Sequence, residues 1–448
     1  MGGLADPGPG ARGITGGRSV TSLPLLPAQP TDWSALTATV ADVGRGSQIA
    51  QIETIRSDIQ PNVLHVLVTT SDGQVGLGET FYGASAVEAH IHDAVVQSIQ
   101  LDRPAAEPAG VSRLLQGYVG YSGSGAEVRA RSAIDMALWD LGAKKLGVPL
   151  RELLAPSSSA AIASYNTCSG ENYVSKESRQ AVSNWGVSEP AGSNGEFEDL
   201  WAFLNEPERL ARELRDNGFS GMKVWPFDPV AEHAGGRLPA DFQFGLSILE
   251  RIRSAVGDSI DLYLELHSLW SPEAAAELLG LLEPFSPRWV EDPIRADHTQ
   301  DIARLQQGSR VPIALGENLG AGQHGYSSLI DAGSVDVLIL DLGWCGGLTE
   351  GLPIQHAAAA RGIEVAYHDC TGPVSLAVAT HAAVASPTTR IQEVARAFWH
   401  GWYPKMADGL PRLEGGDLHL SDQPGHGVQL RDEFLAHPGT TSRVSTLD

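Results

Sequence analysis

From about residue 161 to residue 393 one pattern repeats along the chain. A short apolar run leaning to β-branched residues is closed by a polar residue and followed by a stretch with helical patterning. The last six such runs are LYLELH, RWVEDP, PIALGEN, VLILD, EVAYHD and RIQEV, preceded by AIASYNTC and GFSGMKVW, which read as strands one and two. The residues that close the six are Glu265, Glu291, Glu317, Asp341, His368 and Glu393, separated by 26, 26, 24, 27 and 25 residues. One strand, one helix and two loops of a (β/α)8 barrel take about that many residues, and all strand ends of such a barrel open on one face. The six side chains are therefore predicted to converge on one cavity.

Before the repeats the pattern differs. IAQIETIRSDI and NVLHVLVTTSDGQVGLGET alternate apolar and polar positions, and the SDGQ turn predicts a hairpin. Residues 86–154 turn helical; in RSAIDMALWDLGAKKLGVPLRELL, Ile134, Leu138 and Leu141 share a face, and Gly147, Val148 and Pro149 end the helix. An acidic, Gly/Ser-containing insertion at residues 169–198 separates the first barrel strand from its helix. After Glu393, LPRLEGGDLHLSDQPGHGVQL reads as short strands and turns, expected to pack back on the N-terminal segment.

Composition narrows the classes. At 448 residues the chain exceeds one ordinary core, so about two domains are expected. A formal charge of -23 argues against nucleic acid or an anionic membrane as partner. It leaves room for a small acidic substrate, because a bound cation reverses the local potential. Three cysteines with no CxxC pair suit a reducing cytoplasm, no apolar run is long enough to span a bilayer, and the Gly/Pro-rich start lacks the apolar core of a secretory signal.

The chemistry lies at the strand ends. Glu265, Glu291 and Glu317 close adjacent strands, and three crowded carboxylates repel unless a cation joins them. An all-oxygen set favours Mg²⁺, with Mn²⁺ as a substitute. Asn318 adds a contact to the ligands or caps the next helix. Asp341 beside His368 fixes one imidazole nitrogen and leaves the other as a base. His267 follows Glu265 by two positions; in an extended stretch it faces the same cavity, as a fourth ligand, a substrate hydrogen-bonder or, preferably, a general acid. Lys223 ends strand two and sets a cation beside the metal, Trp225 forms a wall, and Glu393 shares a proton or hydrogen bond with a substrate oxygen. Asn166, Tyr326 and Trp344, also near strand ends, are candidates for substrate contact.

Taken in order, SAIDMALWDLGAKKLGVPLRELL, GFSGMKVW, WVEDP, LGEN, DLGWCGGLTEG and YHDCTGPVSLAVATHAA resemble the mandelate racemase-like branch of the enolase superfamily. The resemblance implies a modified (β/α)8 barrel at 157–400 and an α+β capping domain at 47–156. It also implies a C-terminal segment, 401–448, returning to the cap, behind a flexible extension at 1–46. A cap loop containing Phe81, Tyr82 and Gly83 would close over the substrate, and a symmetric homo-oligomer is expected. The family reaction begins with loss of the proton α to a carboxylate, with Mg²⁺ as cofactor.

Two departures narrow that reaction. Many relatives carry Lys-x-Lys at the end of strand two, whereas GMKVW keeps Lys223 and has Trp225 in the second position, which disfavours racemisation. ELH at strand three, with Glu265 in place of the usual Asp, resembles the Asp-x-His of galactonate- and mannonate-type sugar acid dehydratases, in which that histidine is the acid. The expected reaction is dehydration of an aldonate or aldarate to a 2-keto-3-deoxy acid. The alternatives are epimerisation or racemisation, cycloisomerisation, and a non-catalytic sugar-acid-binding relative.

Overall fold

The computed structural model describes residues 33–116, 123–156, 158–175, 197–320 and 322–447. The alternating N-terminal runs form the antiparallel strands β1 (Ile49–Ser57), β2 (Val63–Thr70) and β3 (Val75–Phe81). The helix Ala126–Leu146 lies directly on β3, closer than ordinary side chains permit. A Cβ on Gly76 or Gly78 would fall 1.9 Å from the carbonyl oxygens of Ala137 and Ala133. The helix is buried on both faces: Ile134 and Leu138 pack into the cap core, Met136 and Trp139 into the larger core shared with the barrel.

The repeats form eight parallel strands: β4 (Ala161–Thr167), β5 (Gly221–Val224), β6 (Asp261–Glu265), β7 (Trp289–Glu291), β8 (Ile313–Leu315), β9 (Val337–Leu340), β10 (Glu364–Tyr367) and β11 (Gln392–Val394). Ladders join β4 through β10 in chain order, and β11 pairs with β4, giving the (β/α)8 barrel. Among the described residues no backbone ladder joins β10 to β11. Side chains bridge that seam: Gln392 Nε2 donates to Tyr367 O at 3.0 Å, and Glu393 accepts from Asp369 N at 3.0 Å. Inside the barrel Tyr165 and Tyr263 stack with centroids 4.4 Å apart, and Trp289 meets Tyr263 edge-on at 4.3 Å. Small residues opposite them, Ala314 and Ala366, complete a filled floor.

Two features differ from the sequence expectation. Residues 1–32 of the expected extension lie outside the described residues, but Trp33–Gly44 is a helix, anchored by buried Leu36 and Val40. Of the C-terminal segment, Thr440–Thr446 pairs antiparallel with β1 in the cap sheet. The hairpin Arg412–Glu414 and Asp417–His419 instead extends the barrel by pairing with β4. Of the 169–198 insertion, residues 176–196 lie outside the described residues. No helix among the described residues is long and apolar enough to cross a membrane.

Cap and barrel are joined by a buried acidic clasp. Glu79 on β3 accepts backbone N–H groups from Val374 at 3.3 Å and Ser375 at 2.9 Å, the first turn of the helix Pro373–Ala385. A carboxylate there offsets the positive end of the helix dipole and satisfies orphan donors. Beside it Thr80 Oγ1 donates to Gly343 O at 2.8 Å. Removing the carboxylate leaves buried N–H groups unpaired, a loss on the order of 1–3 kcal/mol. Glu79→Ala is expected to lower unfolding free energy by about that amount in urea titration, and Glu79→Gln by less.

Candidate active site

Strand register brings the three glutamates together. Glu265 and Glu291 are directly paired positions of β6 and β7, and Glu317 follows β8 after a sharp turn at Gly316. Gly316 has φ +139°, and a Cβ there would lie 2.5 Å from Ile339 O, so only glycine carries the chain from Leu315 to Glu317. One carboxylate oxygen from each glutamate lies within 4.8 Å of the others. All three are buried, and Trp289 of the floor donates to Glu291 Oε2 at 3.1 Å.

The charge balance of this cluster is lopsided. Lys223 Nζ stands 2.8 Å from Glu393, 3.2 Å from Glu291 and 3.5 Å from Glu265. Burial works against its ammonium, but Glu291 and Glu393 outweigh that and hold it well above the ordinary lysine value. Glu393 is held low despite burial by Lys223, His368 and a hydroxyl bond from Thr167. The triad goes the other way. Burial, then Glu317, pushes Glu265 up to about 7, and burial, then Glu265 and Glu393, does the same to Glu291. Glu317 is raised as well, chiefly by burial. One ammonium does not neutralise this many carboxylates. The donor set, all oxygen, buried and short of positive charge, fits a hard divalent cation.

Two histidines flank the triad. His368 follows β10, its Nδ1 2.7 Å from Asp341 Oδ2 and its Nε2 3.4 Å from Glu317 Oε2. Burial would lower its pKa, but Glu317 and Asp341 raise it well above the ordinary histidine value. His267 follows β6, its Nδ1 2.5 Å from Asp228 Oδ2. Burial opposes its proton too, yet Asp228 and Glu265 push the imidazole up to about 9. β6 and β10 stand four places apart in the ring of eight, so the two imidazoles come from opposite sides of the mouth.

The cavity between them measures about 380 Å³ with the open solvent at its mouth included, and Tyr82, Tyr173, Trp225 and Trp344 wall it beside the polar residues. Tyr82 reaches it from the cap and packs at 5.7 Å on Trp344, which packs at 5.0 Å on His368. Trp225 meets the His267 ring edge-on at 5.8 Å. Lys223, Glu265, Glu317 and Glu393 form the polar floor, while Glu291 and Asp341 stand behind it.

Two expectations for this cavity change. Asn166 does not face it: side chains alternate along β4, and Tyr165 and Thr167 take the interior. Asn166 is buried on the other side, donating to Asp199 Oδ2 at 2.8 Å and accepting from Arg396 N at 3.0 Å. Tyr326 is likewise buried away from the cavity, its hydroxyl donating to Gly316 O at 2.8 Å. His267 reaches the cavity by a route other than the extended stretch expected. β6 ends at Glu265, and His267 and Ser268 turn left-handed with φ +46° and +58°.

Sequence reasoning missed several residues. Asp228 opens a short helix after β5, where Asp-Pro reads as an ordinary helix start and gives no sign of a partner 39 residues away. Tyr173 lines the cavity from the insertion. Asp292, inside WVEDP, is buried with Oδ2 2.8 Å from Asn318 Nδ2. Asn318 also donates to Glu317 Oε1 at 3.0 Å.

Residues 206–434 match the enolase C-terminal domain-like family, and residues 36–155 match the mandelate racemase / muconate lactonizing enzyme N-terminal domain family. D-galactonate dehydratase of Ralstonia pickettii is 27% identical over 87% of this chain and 93% of its own. D-gluconate dehydratase of Thermoproteus tenax is 27% identical over 68% of this chain, a match spanning 55% of that enzyme. Among solved structures, an enolase protein from Sargasso Sea environmental sequence superposes with a TM-score of 0.78 at 36% identity, covering 89% of this chain and 99% of that one. A mandelate racemase subgroup enolase from Agrobacterium tumefaciens gives 0.76 at 33% identity, with coverage of 89% and 99%.

The raised carboxylates make the metal-free protein sensitive to pH. Glu265 and Glu291 keep protons up to about 7 when folded, against the ordinary glutamate value of 4.5 when unfolded. The folded state binds more protons in that window, so the contribution of these groups to stability falls as pH rises through it. A cation that binds the ionised carboxylates removes the penalty and must compete with protons at low pH. MgCl₂ is therefore expected to raise the thermal midpoint of EDTA-treated protein more at about pH 8 than at about pH 5.5. Equal shifts at the two pH values would mean that the triad is not the ligand set.

Proposed function

Because the chain belongs to the mandelate racemase and muconate lactonizing enzyme family of the enolase superfamily, we propose that it is a hydro-lyase acting on a sugar acid. It removes the proton α to the carboxylate and the 3-hydroxyl, giving a 2-keto-3-deoxy acid. The observation that carries this reading is the pair of imidazoles, His267 and His368, on opposite sides of a carboxylate triad. The similarity to dehydratases of D-galactonate and D-gluconate supports it.

The roles follow from the contacts. Glu265, Glu291 and Glu317 would hold Mg²⁺, with Mn²⁺ as a substitute. When bound, the metal supplies positive charge beside the substrate carboxylate, where negative charge grows as the α-proton leaves. Asp341 occupies Nδ1 of His368 and leaves Nε2 to take that proton. The largest upward push on His368 comes from Glu317, a charge that metal ligation would satisfy, which frees the imidazole to act as a base. Lys223, fixed between Glu393 and the triad, stabilises the doubly charged carboxylate. His267 carries the proton that the departing hydroxyl needs. Trp225 occupies the position from which a second lysine would return a proton to the α-carbon, and this favours elimination over racemisation.

The test is semicarbazide detection of keto acid from D-galactonate, D-gluconate and related C5 and C6 aldonic and aldaric acids with MgCl₂. His368→Asn and His267→Asn are each expected to lower turnover on the order of 10²–10⁴-fold. His368→Asn should also abolish α-proton exchange in D₂O, whereas His267→Asn should retain it. Exchange without keto acid in the wild type would point instead to epimerisation or cycloisomerisation.

A further inference from the structure

His267 stands just past the end of a barrel strand. β6 has ended, and the backbone turns left-handed at His267 and Ser268. Leu266 N donates to Glu291 O at 3.0 Å and Ser268 N to Asp292 O at 2.8 Å, which ties the turn to the strand beside it. The N–H groups of Leu266 and His267 donate to Glu265 Oε1 at 3.0 and 2.8 Å, which fixes the backbone but not the ring. The ring is fixed by Asp228 Oδ2, 2.5 Å from Nδ1, and by the edge-on indole of Trp225. Asp228 is fully buried and opens the short helix after β5, the strand next to β6.

The same construction recurs across the barrel. His368 follows β10, and its partner Asp341 follows β9, the strand next to β10. Each histidine is thus gripped at Nδ1 by an aspartate from the preceding strand end, and the two assemblies lie four strands apart.

Resting on the dehydration reading, we propose that Asp228 is the positioning residue of the acid half of the reaction. It acts through His267 as Asp341 acts through His368. With Nδ1–H donated to Asp228, only Nε2–H is left to face the substrate. As the C2–H electrons form the C2–C3 double bond, the C3–O electrons leave with oxygen. Oxygen takes the Nε2 proton and departs as water, and the enol becomes the keto acid. Without Asp228 the ring loses the acceptor that fixes a proton on Nδ1 and turns Nε2–H toward the substrate. The base half, on the far side, keeps its own aspartate.

The consequence is a separation of the two half-reactions. Asp228→Asn is expected to lower semicarbazide-detected product from D-galactonate or D-gluconate by about 10²-fold, with KM and α-proton exchange in D₂O each within about threefold of wild type. In the proton spectrum, the downfield imidazole N–H line lost in His267→Asn should also be lost in Asp228→Asn and kept in His368→Asn. Product formation within about threefold of wild type, or exchange lost in parallel with product, would overturn the proposal. So would persistence of the His267 line in Asp228→Asn. A wild-type protein that yields no keto acid overturns the dehydration reading instead, and the N–H line then decides the Asp228–His267 pairing by itself.

Discussion

Four glutamate carboxylates and one ammonium share a buried volume at the mouth of this barrel, and that excess of negative charge constrains most of what surrounds it. An unpaired buried charge costs several kcal/mol, so each carboxylate needs a defined partner. Lys223 serves three of them, Trp289 braces Glu291 from below, and Thr167 and the Asp369 N–H hold Glu393. The triad still keeps a surplus of negative charge, and burial, reinforced by that surplus, raises its pKa values. A cation would complete a site built this way, and it would compete with protons for the same carboxylates.

The rest of the fold keeps that imbalance dry and oriented. The aromatic floor fills the barrel below the triad, so solvent reaches the carboxylates only from above. There Tyr82 and Trp344 form a run of rings leading to His368. The clasp of Glu79 on the helix Pro373–Ala385 ties the cap to the loop that carries His368. The cap and the loop that carries His368 are therefore held together by these hydrogen bonds.

The repeat spacing made the barrel legible because each strand ends in a charged or imidazole side chain, which an apolar core does not tolerate at random. The triad and the Asp341–His368 pair followed from that one regularity. Side-chain direction was harder to read. Asn166 and Thr167 are adjacent polar residues at a strand end, and only the alternation fixed by Tyr165 decides that Thr167 faces inward. Asp228 was invisible because its partner is remote in sequence and its own surroundings, Asp-Pro at a helix start, have an ordinary explanation. The helix Trp33–Gly44 was obscured by the Gly/Pro-rich residues before it, and its buried hydrophobics among the described side chains are just Leu36 and Val40. The hairpin at 412–419 could be foreseen as short strands, but strands of three residues do not specify a partner, and it joined the barrel instead of the cap.

The cap sheet takes strands from before and after the barrel in the chain, with Thr440–Thr446 lying beside β1 and all eight barrel strands encoded between them. This gives the fold a temporal order. A ribosome emits β1 to β3 before any barrel strand, with one edge of β1 exposed, and every barrel strand before the segment that covers that edge. The cap sheet gains its fourth strand only after all eight barrel strands have been translated. The cap thus becomes a four-stranded sheet only once the barrel strands beneath it have been made, and a chain ended before Thr440 would carry Glu265, Glu291 and Glu317 under a three-stranded cover.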